Sequence, residues 1–175
     1  MAKKTCFKKV NLFSGIILND RINIESVILK LRDRFSGIDI VSDIMDFDFT
    51  DYYFAEMGKP LKRIFISFDE LIPPDGLPEI KIVTNEMEKE FSESGNRLVN
   101  LDPGYISDAN VIIATTKNYY QRIPLSNGIY AHMEYVIKGK DFHFLEWTYP
   151  DFKSQGYLKF FSKLLSVYKK KSKNN

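Results

Sequence analysis

Cysteine is nearly absent: Cys6 stands alone among 175 residues. No internal disulfide can form and no cysteine-based zinc site can be assembled, which fits a reducing cytosol. Histidine is almost as scarce, with His132 and His143 the only two, so a histidine-rich metal centre is excluded. No apolar run approaches the ~18 residues of a membrane span, so no membrane partner is expected. The start, Lys3-Lys4 followed by Leu12 to Leu18, has too short an apolar run and no small-residue cleavage site for a signal peptide, and reads instead as a buried first strand. Between Phe35 and Gly58 there is no Lys or Arg, while six acids (Asp39, Asp43, Asp46, Asp48, Asp51 and Glu56) fall there.

Apolar residues are plentiful, at 44% with 27% charged. That composition excludes disorder for most of the length and suits one compact domain over residues 1–175. Twenty-five Lys and Arg against 23 Asp and Glu leave a net charge of +2, too small to imply a polyanionic partner. The lysines gather at the ends: Lys3, Lys4, Lys8 and Lys9, then Lys169, Lys170, Lys171 and Lys173. They read as basic flexible tails over about residues 1–9 and 169–175, through which nucleic acid is a weak partner candidate.

Periodicity predicts the elements. Val10 to Leu18 reads as a strand. Asn23 caps a helix carrying Ile24, Val27, Ile28, Leu31 and Phe35, which Gly37 ends, and a strand from Ile38 to about Asp48 follows. Residues 51–60 form a loop or short helix. Leu61 to Phe68 alternates, with Ile64, Ile66 and Phe68 on one face and Arg63, Phe65 and Ser67 on the other. A helix carrying Ile80, Val83, Met87 and Phe91 starts at Pro78, or later at Asn85. Arg97 to Leu101 is a strand stopped by Asp102-Pro103-Gly104, and short strands cover 111–117 and 122–125. Gly128 to Lys138 alternates, placing Ile129, Ala131, Met133, Tyr135 and Ile137 opposite Tyr130, His132 and Glu134. Gly139-Lys140 fits a type II′ turn, with a return strand to Tyr149. Ser154 caps a final amphipathic helix. The fold class is α+β: a ferredoxin-like β-α-β-β-α-β start continued by an antiparallel β meander and a C-terminal helix.

Three groups of residues could carry chemistry. Asp46 and Asp48 share a strand face about 6.5–7 Å apart, and with Asp51 they could gather a divalent metal for hydrolysis; the alternative is solvated acids at a strand exit. Arg97, Asn100, Asp102 and Lys117 form a second group, although Arg97 and Asn100 are expected on opposite faces. The hairpin register pairs His132 with Trp147 and Tyr130 with Tyr149, so one face would hold Tyr130, His132, Glu134, Trp147 and Tyr149. There His132 and Glu134 would move protons and the rings would stack a flat ligand, unless the face is core packing. The leading expectation is a cytosolic protein binding a small anionic molecule, nucleotide-like or a phosphorylated metabolite. Arg63, Lys117 and Arg122 would hold the anion, and Asp51, Arg97 and Asp102 would border the site. The alternatives are a non-catalytic RNA- or protein-binding module, which would use exposed rings such as Tyr119-Tyr120, and the metal-dependent hydrolase. The sequence does not identify a cofactor.

Met57 to Ile72 (MGKPLKRIFISFDELI), Phe47 to Tyr53, Leu77 to Lys81, Thr84-Asn85, Val99 to Tyr105, Ala114 to Lys117, Gly128 to Ala131 and Trp147 to Asp151 together resemble the prokaryotic domain-of-unknown-function family 4416. The resemblance spans nearly the whole chain and implies no established reaction. It implies an acidic residue where this chain has His132. Some family members carry a GTP-binding label, but no Gly-x-x-x-x-Gly-Lys-Ser/Thr loop is present, and Thr116-Lys117-Asn118 lacks the acid of a guanine-reading motif.

Overall fold

The computed structural model describes residues 5–173. The long strands β1 (Val10–Asn19), β2 (Ile38–Val41) and β4 (Leu61–Ile72) and the two-residue β3 (Met45–Asp46) alternate with helices α1 (Ile24–Arg34) and α2 (Phe54–Met57). Helix α3 (Leu77–Glu90), the small hairpin β5 (Ser92–Glu93) and β6 (Asn96–Arg97), and strand β7 (Val99–Ile106) follow. The chain continues through β8 (Asn110–Thr115), β9 (Ile123–Pro124), β10 (Tyr130–Lys138), β11 (Asp141–Phe144) and α4 (Gln155–Lys171).

The fold is α+β, and every pairing in its main sheet is antiparallel. The strand order is β11-β10-β8-β7-β1-β4-β2. Its β7-β1-β4-β2 half has the ferredoxin-like arrangement: each of two helical crossovers, through α1 and α3, skips one strand. Helices α1 and α3 cover one face. Val27, Leu31 and Met87 pack there on Leu12, Ile16, Ile64, Ile66 and Phe68. Helix α4 covers the other, with Tyr157, Phe160, Phe161, Leu164 and Tyr168 set on Phe13, Phe65, Val111, Tyr135 and Phe152. Each fully buried side chain of this size contributes about 1.5–3 kcal/mol relative to exposure. The alternation expected in β4 holds. No helix is long and apolar enough to cross a membrane among the described residues.

Several local expectations change. Residues 38–48 are not one strand, because the chain leaves the sheet after Val41 and returns only at Met45. Gly37 does not adopt the left-handed conformation of a helix cap; a side chain there would collide with the Asp69 carboxylate. Asn23 does cap α1, its side chain accepting from the Glu25 N–H. A register shift between Met133 and Tyr135 marks a bulge at Glu134. The bulge moves Tyr135 and Ile137 to the α4 face, while Ile129, Ala131 and Met133 stay on the α3 face. The tails are partly docked. Residues 169–171 continue α4, and Lys171 donates to Asn11 Oδ1 and the Phe68 carbonyl, each at 2.8 Å. Residues 1–4 and 174–175 of the expected tails lie outside the described residues.

The Asp102-Pro103-Gly104 tripeptide does not stop β7. It runs through the centre of the strand, opposite Gly15, Ser14 and Phe13 of β1. On its other side β7 pairs with β8 only from Gly104 to Ile106, so the two strands part before Pro103. In an antiparallel strand alternate residues turn both backbone groups to the same neighbour. Leu101 turns its pair into the gap, and α3 supplies the missing partners. The Leu101 N–H donates to Glu88 Oε1 at 2.7 Å, and Lys81 Nζ donates to the Leu101 carbonyl at 2.6 Å. Pro103, two residues on, has no N–H to leave unpaired, so proline is tolerated in a central strand here. Replacing Glu88 with Leu orphans the buried Leu101 N–H. Chemical denaturation should show a loss on the order of 1–3 kcal/mol, and amide exchange at Leu101 should accelerate.

Candidate functional site

A cleft of 490 Å³ opens where β7 and β8 separate. Asn100, Asp102, Ile17 and Arg63 line it from the sheet, Lys81 and Asn85 from α3, and Thr115, Thr116 and Lys117 from the end of β8. Phe47, Phe49, Tyr52 and Tyr53 form an aromatic wall, faced by Tyr149 to Phe152.

At its base lies Arg63, 3% exposed. Its Nε donates to Tyr157 Oη at 2.9 Å and its Nη1 to Asp102 Oδ2 at 3.1 Å, and Nη2 stands 3.6 Å from Asp151 Oδ2. Gly15 makes the room: a Cβ there would lie 2.9 Å from Arg63 Nη1. Burial alone would raise the Asp102 carboxyl, but Arg63 and Lys81 outweigh it and hold it below its ordinary value. Burial raises Asp151, against the pull of Arg63. Lys81, 6% exposed, stands 3.9 Å from Glu88 and 4.0 Å from Asp102. Arg97 binds Glu56 at 2.9 Å, Glu88 at 2.7 Å and Asn100 Oδ1 at 2.9 Å.

Arg97 and Asn100 therefore serve one site, contrary to the strict alternation expected of them. A bend at Leu98 separates β6 from β7 and cancels the face count. The buried Asn100 accepts from Arg97 at its Oδ1 and its side chain helps hold the Asp102 carboxyl down, although its Nδ2 makes no hydrogen bond of ordinary geometry.

The sequence-predicted residues divide. Arg63, Arg97, Asp102, Lys117 and Tyr149 border the cleft. Arg122 stands behind the rim, donating to the Lys117 carbonyl at 2.7 Å and to Tyr149 Oη at 2.5 Å. Asp51 is exposed outside the cleft, and its carbonyl accepts the Phe54 N–H at 3.0 Å. Tyr130 and Trp147 are not part of the lining. The return strand ends at Phe144, and Trp147 reaches β10 only through Nε1 donating to the Met133 carbonyl at 3.0 Å.

His132 and Glu134 do come together, with Nε2 and Oε1 3.3 Å apart, but both are fully buried. Tyr149 stacks on His132, ring centroids 4.9 Å apart, and its N–H donates to Glu134 Oε2 at 3.1 Å. The pair cannot touch a ligand in the cleft as a catalytic acid and base. It holds Tyr149, the wall, in place. Arg122 Nε points at His132 Nδ1 from 3.4 Å, which makes Nδ1 the acceptor and leaves Nε2–H facing Glu134. The proposed metal set does not assemble: Asp46 pairs with Lys62 at 2.5 Å, Asp48 and Asp51 are exposed, and no three metal-binding side chains cluster among the described residues.

Gly15, Lys81, Asn85 and Glu88 were absent from the sequence-derived set of this site, as were Tyr52, Tyr53, Glu56 and Asp151. One signal for two of them exists: Leu77, Lys81, Thr84 and Glu88 recur at helical spacing and are all buried, a second stripe beside the apolar one.

The fold and cleft define an α+β protein with a ferredoxin-like half-sheet and a polar site built into a split between two central strands. The family model described as Domain of unknown function (DUF4416) matches residues 8–168, and the chain belongs to that family. No curated protein and no solved structure matches it.

Replacing Arg63 with Met leaves Asp102 and Asp151 buried without their cation, and denaturation should register a loss of about 3–5 kcal/mol. Glu134 tests the pH dependence. Burial raises its carboxyl above the usual value, so the folded state holds a proton longer than the unfolded chain, and stability declines as pH rises from the unfolded value of about 4.3 through the folded one. Glu134→Gln keeps the acceptor for the Tyr149 N–H and removes that decline. Its melting temperature should fall less than that of wild type between pH 4 and pH 8.

Proposed function

We propose that this chain binds a small, flat, anionic molecule, nucleotide-like or a phosphorylated metabolite, in the cleft between β7 and β8. The observation that carries the reading is the charge balance of the lining. Arg63, Lys81 and Arg97 are each matched by Asp102, Asp151, Glu88 or Glu56. Lys117 has no carboxylate partner among the described residues and lies 3.8 Å above the Tyr52 ring. A charge-assisted bond to Lys117 would fix one anionic group at the rim, and Tyr52, Tyr53 and Tyr149 would stack the ring. Arg63 and Arg122, expected to hold the anion directly, act here as supports. A cytosolic setting, where Cys6 would stay reduced, agrees with this reading.

Thermal-shift screening of nucleoside phosphates, sugar phosphates and inorganic phosphate tests it. A ligand at 100 times its Kd adds about 2.7 kcal/mol, which for a domain of this size raises the melting temperature by about 5–10 °C. Lys117→Met should weaken binding at least tenfold while leaving the unliganded melting temperature unchanged. No shift across the panel, or a shift that Lys117→Met leaves intact, removes this reading.

A further inference from the structure

Several surface cations of this protein are matched. Lys30 pairs with Glu90, Lys62 with Asp46, Lys89 with Glu86, Lys159 with Asp43 and Arg21 with Glu93. Others, such as Arg34, Lys59, Lys153 and Lys163, have no carboxylate at ion-pair distance among the described residues, and one end of the molecule gathers five of that kind. There the last turn of α4, the β10–β11 turn and the segment 5–9 meet. Tyr168 Oη donates to the Lys9 carbonyl at 3.1 Å, Lys8 Nζ lies 5.7 Å from the centre of the Tyr168 ring, and Lys169 Nζ donates to the Gly139 carbonyl at 2.5 Å. These contacts bring Lys9, Lys140, Lys169, Lys170 and Lys173 to one surface, all exposed except the half-buried Lys169. None of the five has a carboxylate at ion-pair distance among the described residues. Lys8 is matched by Asp108, and Asp141 stands opposite Lys138 across the hairpin.

Helix polarity does not account for this. The C-terminus of a helix carries about half a negative charge, whereas five lysines converge on it. Nor is the face built to enter lipid. The apolar stripe of α4 (Tyr157, Phe160, Phe161, Leu164, Leu165 and Tyr168) is buried against the sheet, and the one large exposed ring beside the lysines is Phe7, 67% exposed. A surface of unmatched point charges with a single ring suits a flexible phosphate chain bearing a base that can stack.

We propose that this face, formed by Lys9, Lys140, Lys169, Lys170 and Lys173 with Phe7 beside them, binds the phosphate backbone of single-stranded nucleic acid. The site is separate from the cleft and does not depend on what the cleft holds. Lysine ammonium groups neutralise phosphates and release condensed counterions, so affinity must fall as salt rises.

Fluorescence anisotropy of a labelled oligouridylate, about 12 nucleotides long, supplies the test. Binding is expected at about 50 mM salt, with log K falling against log salt at a slope of about −3, four phosphates at about −0.7 each. A variant with Lys9, Lys140, Lys170 and Lys173 all changed to Gln should bind at least tenfold more weakly with a slope near zero. These side chains are exposed, so it should melt at the wild-type temperature. Lys159→Gln with Lys163→Gln, nearer the start of α4, should bind as wild type. No binding at low salt overturns the proposal. So does affinity that the fourfold variant retains, or stronger retention on phosphatidylserine-containing vesicles than on the oligonucleotide.

Discussion

A buried guanidinium holds this structure to its shape. Arg63 leaves the central strand β4, crosses over Gly15 of β1, and is met by Asp102 of β7 and by Tyr157 and Asp151 around the start of α4. Removing such a charge from water costs several kcal/mol, which only close and complete partnering offsets. The partnering therefore fixes several elements at once. Gly15 must lack a side chain, Asp102 must stay ionised, and α4 must begin where Asp151 and Tyr157 can reach the arginine.

The same constraint explains why a polar site lies at the middle of an otherwise apolar sheet. Where β7 and β8 part, backbone groups of β7 lose their strand partner, and a buried unpaired N–H or C=O is expensive. Lys81 and Glu88 of α3 repair the loss, and Pro103 avoids part of it. Their charges must then be balanced in turn, which draws in Arg97, Glu56 and Asp102. The cleft is thus lined by groups whose first task is structural. What remains available is small: Lys117 and the rings.

Much of the scaffold was legible because it rests on local periodicity. The apolar stripes of α1 and α4 and the two faces of β4 follow from spacing alone, and the turn at Gly139 set the pairing of Lys138 with Asp141 as read. The errors share a consequence. The Glu134 bulge and the bend at Leu98 are single-residue departures, and β11 ends five residues before Tyr149; each reverses or cancels a face assignment. The metal reading of Asp46, Asp48 and Asp51 failed differently. Proximity along the chain did not become convergence, because Lys62 of the adjacent strand takes Asp46 and the other two face solvent.

The order of residues by itself determined the family, the α+β class, that α1 and α4 are amphipathic helices, the two faces of β4, and the hairpin turn, since each depends on chemistry within a few residues or on motifs that run along the chain. Tertiary structure decided where the sheet splits, that Lys81 and Glu88 face a strand edge, and that His132 and Glu134 lie sealed behind Tyr149. Those outcomes depend on pairings between distant segments, where one residue more or less in a partner strand changes which side of the sheet a side chain occupies.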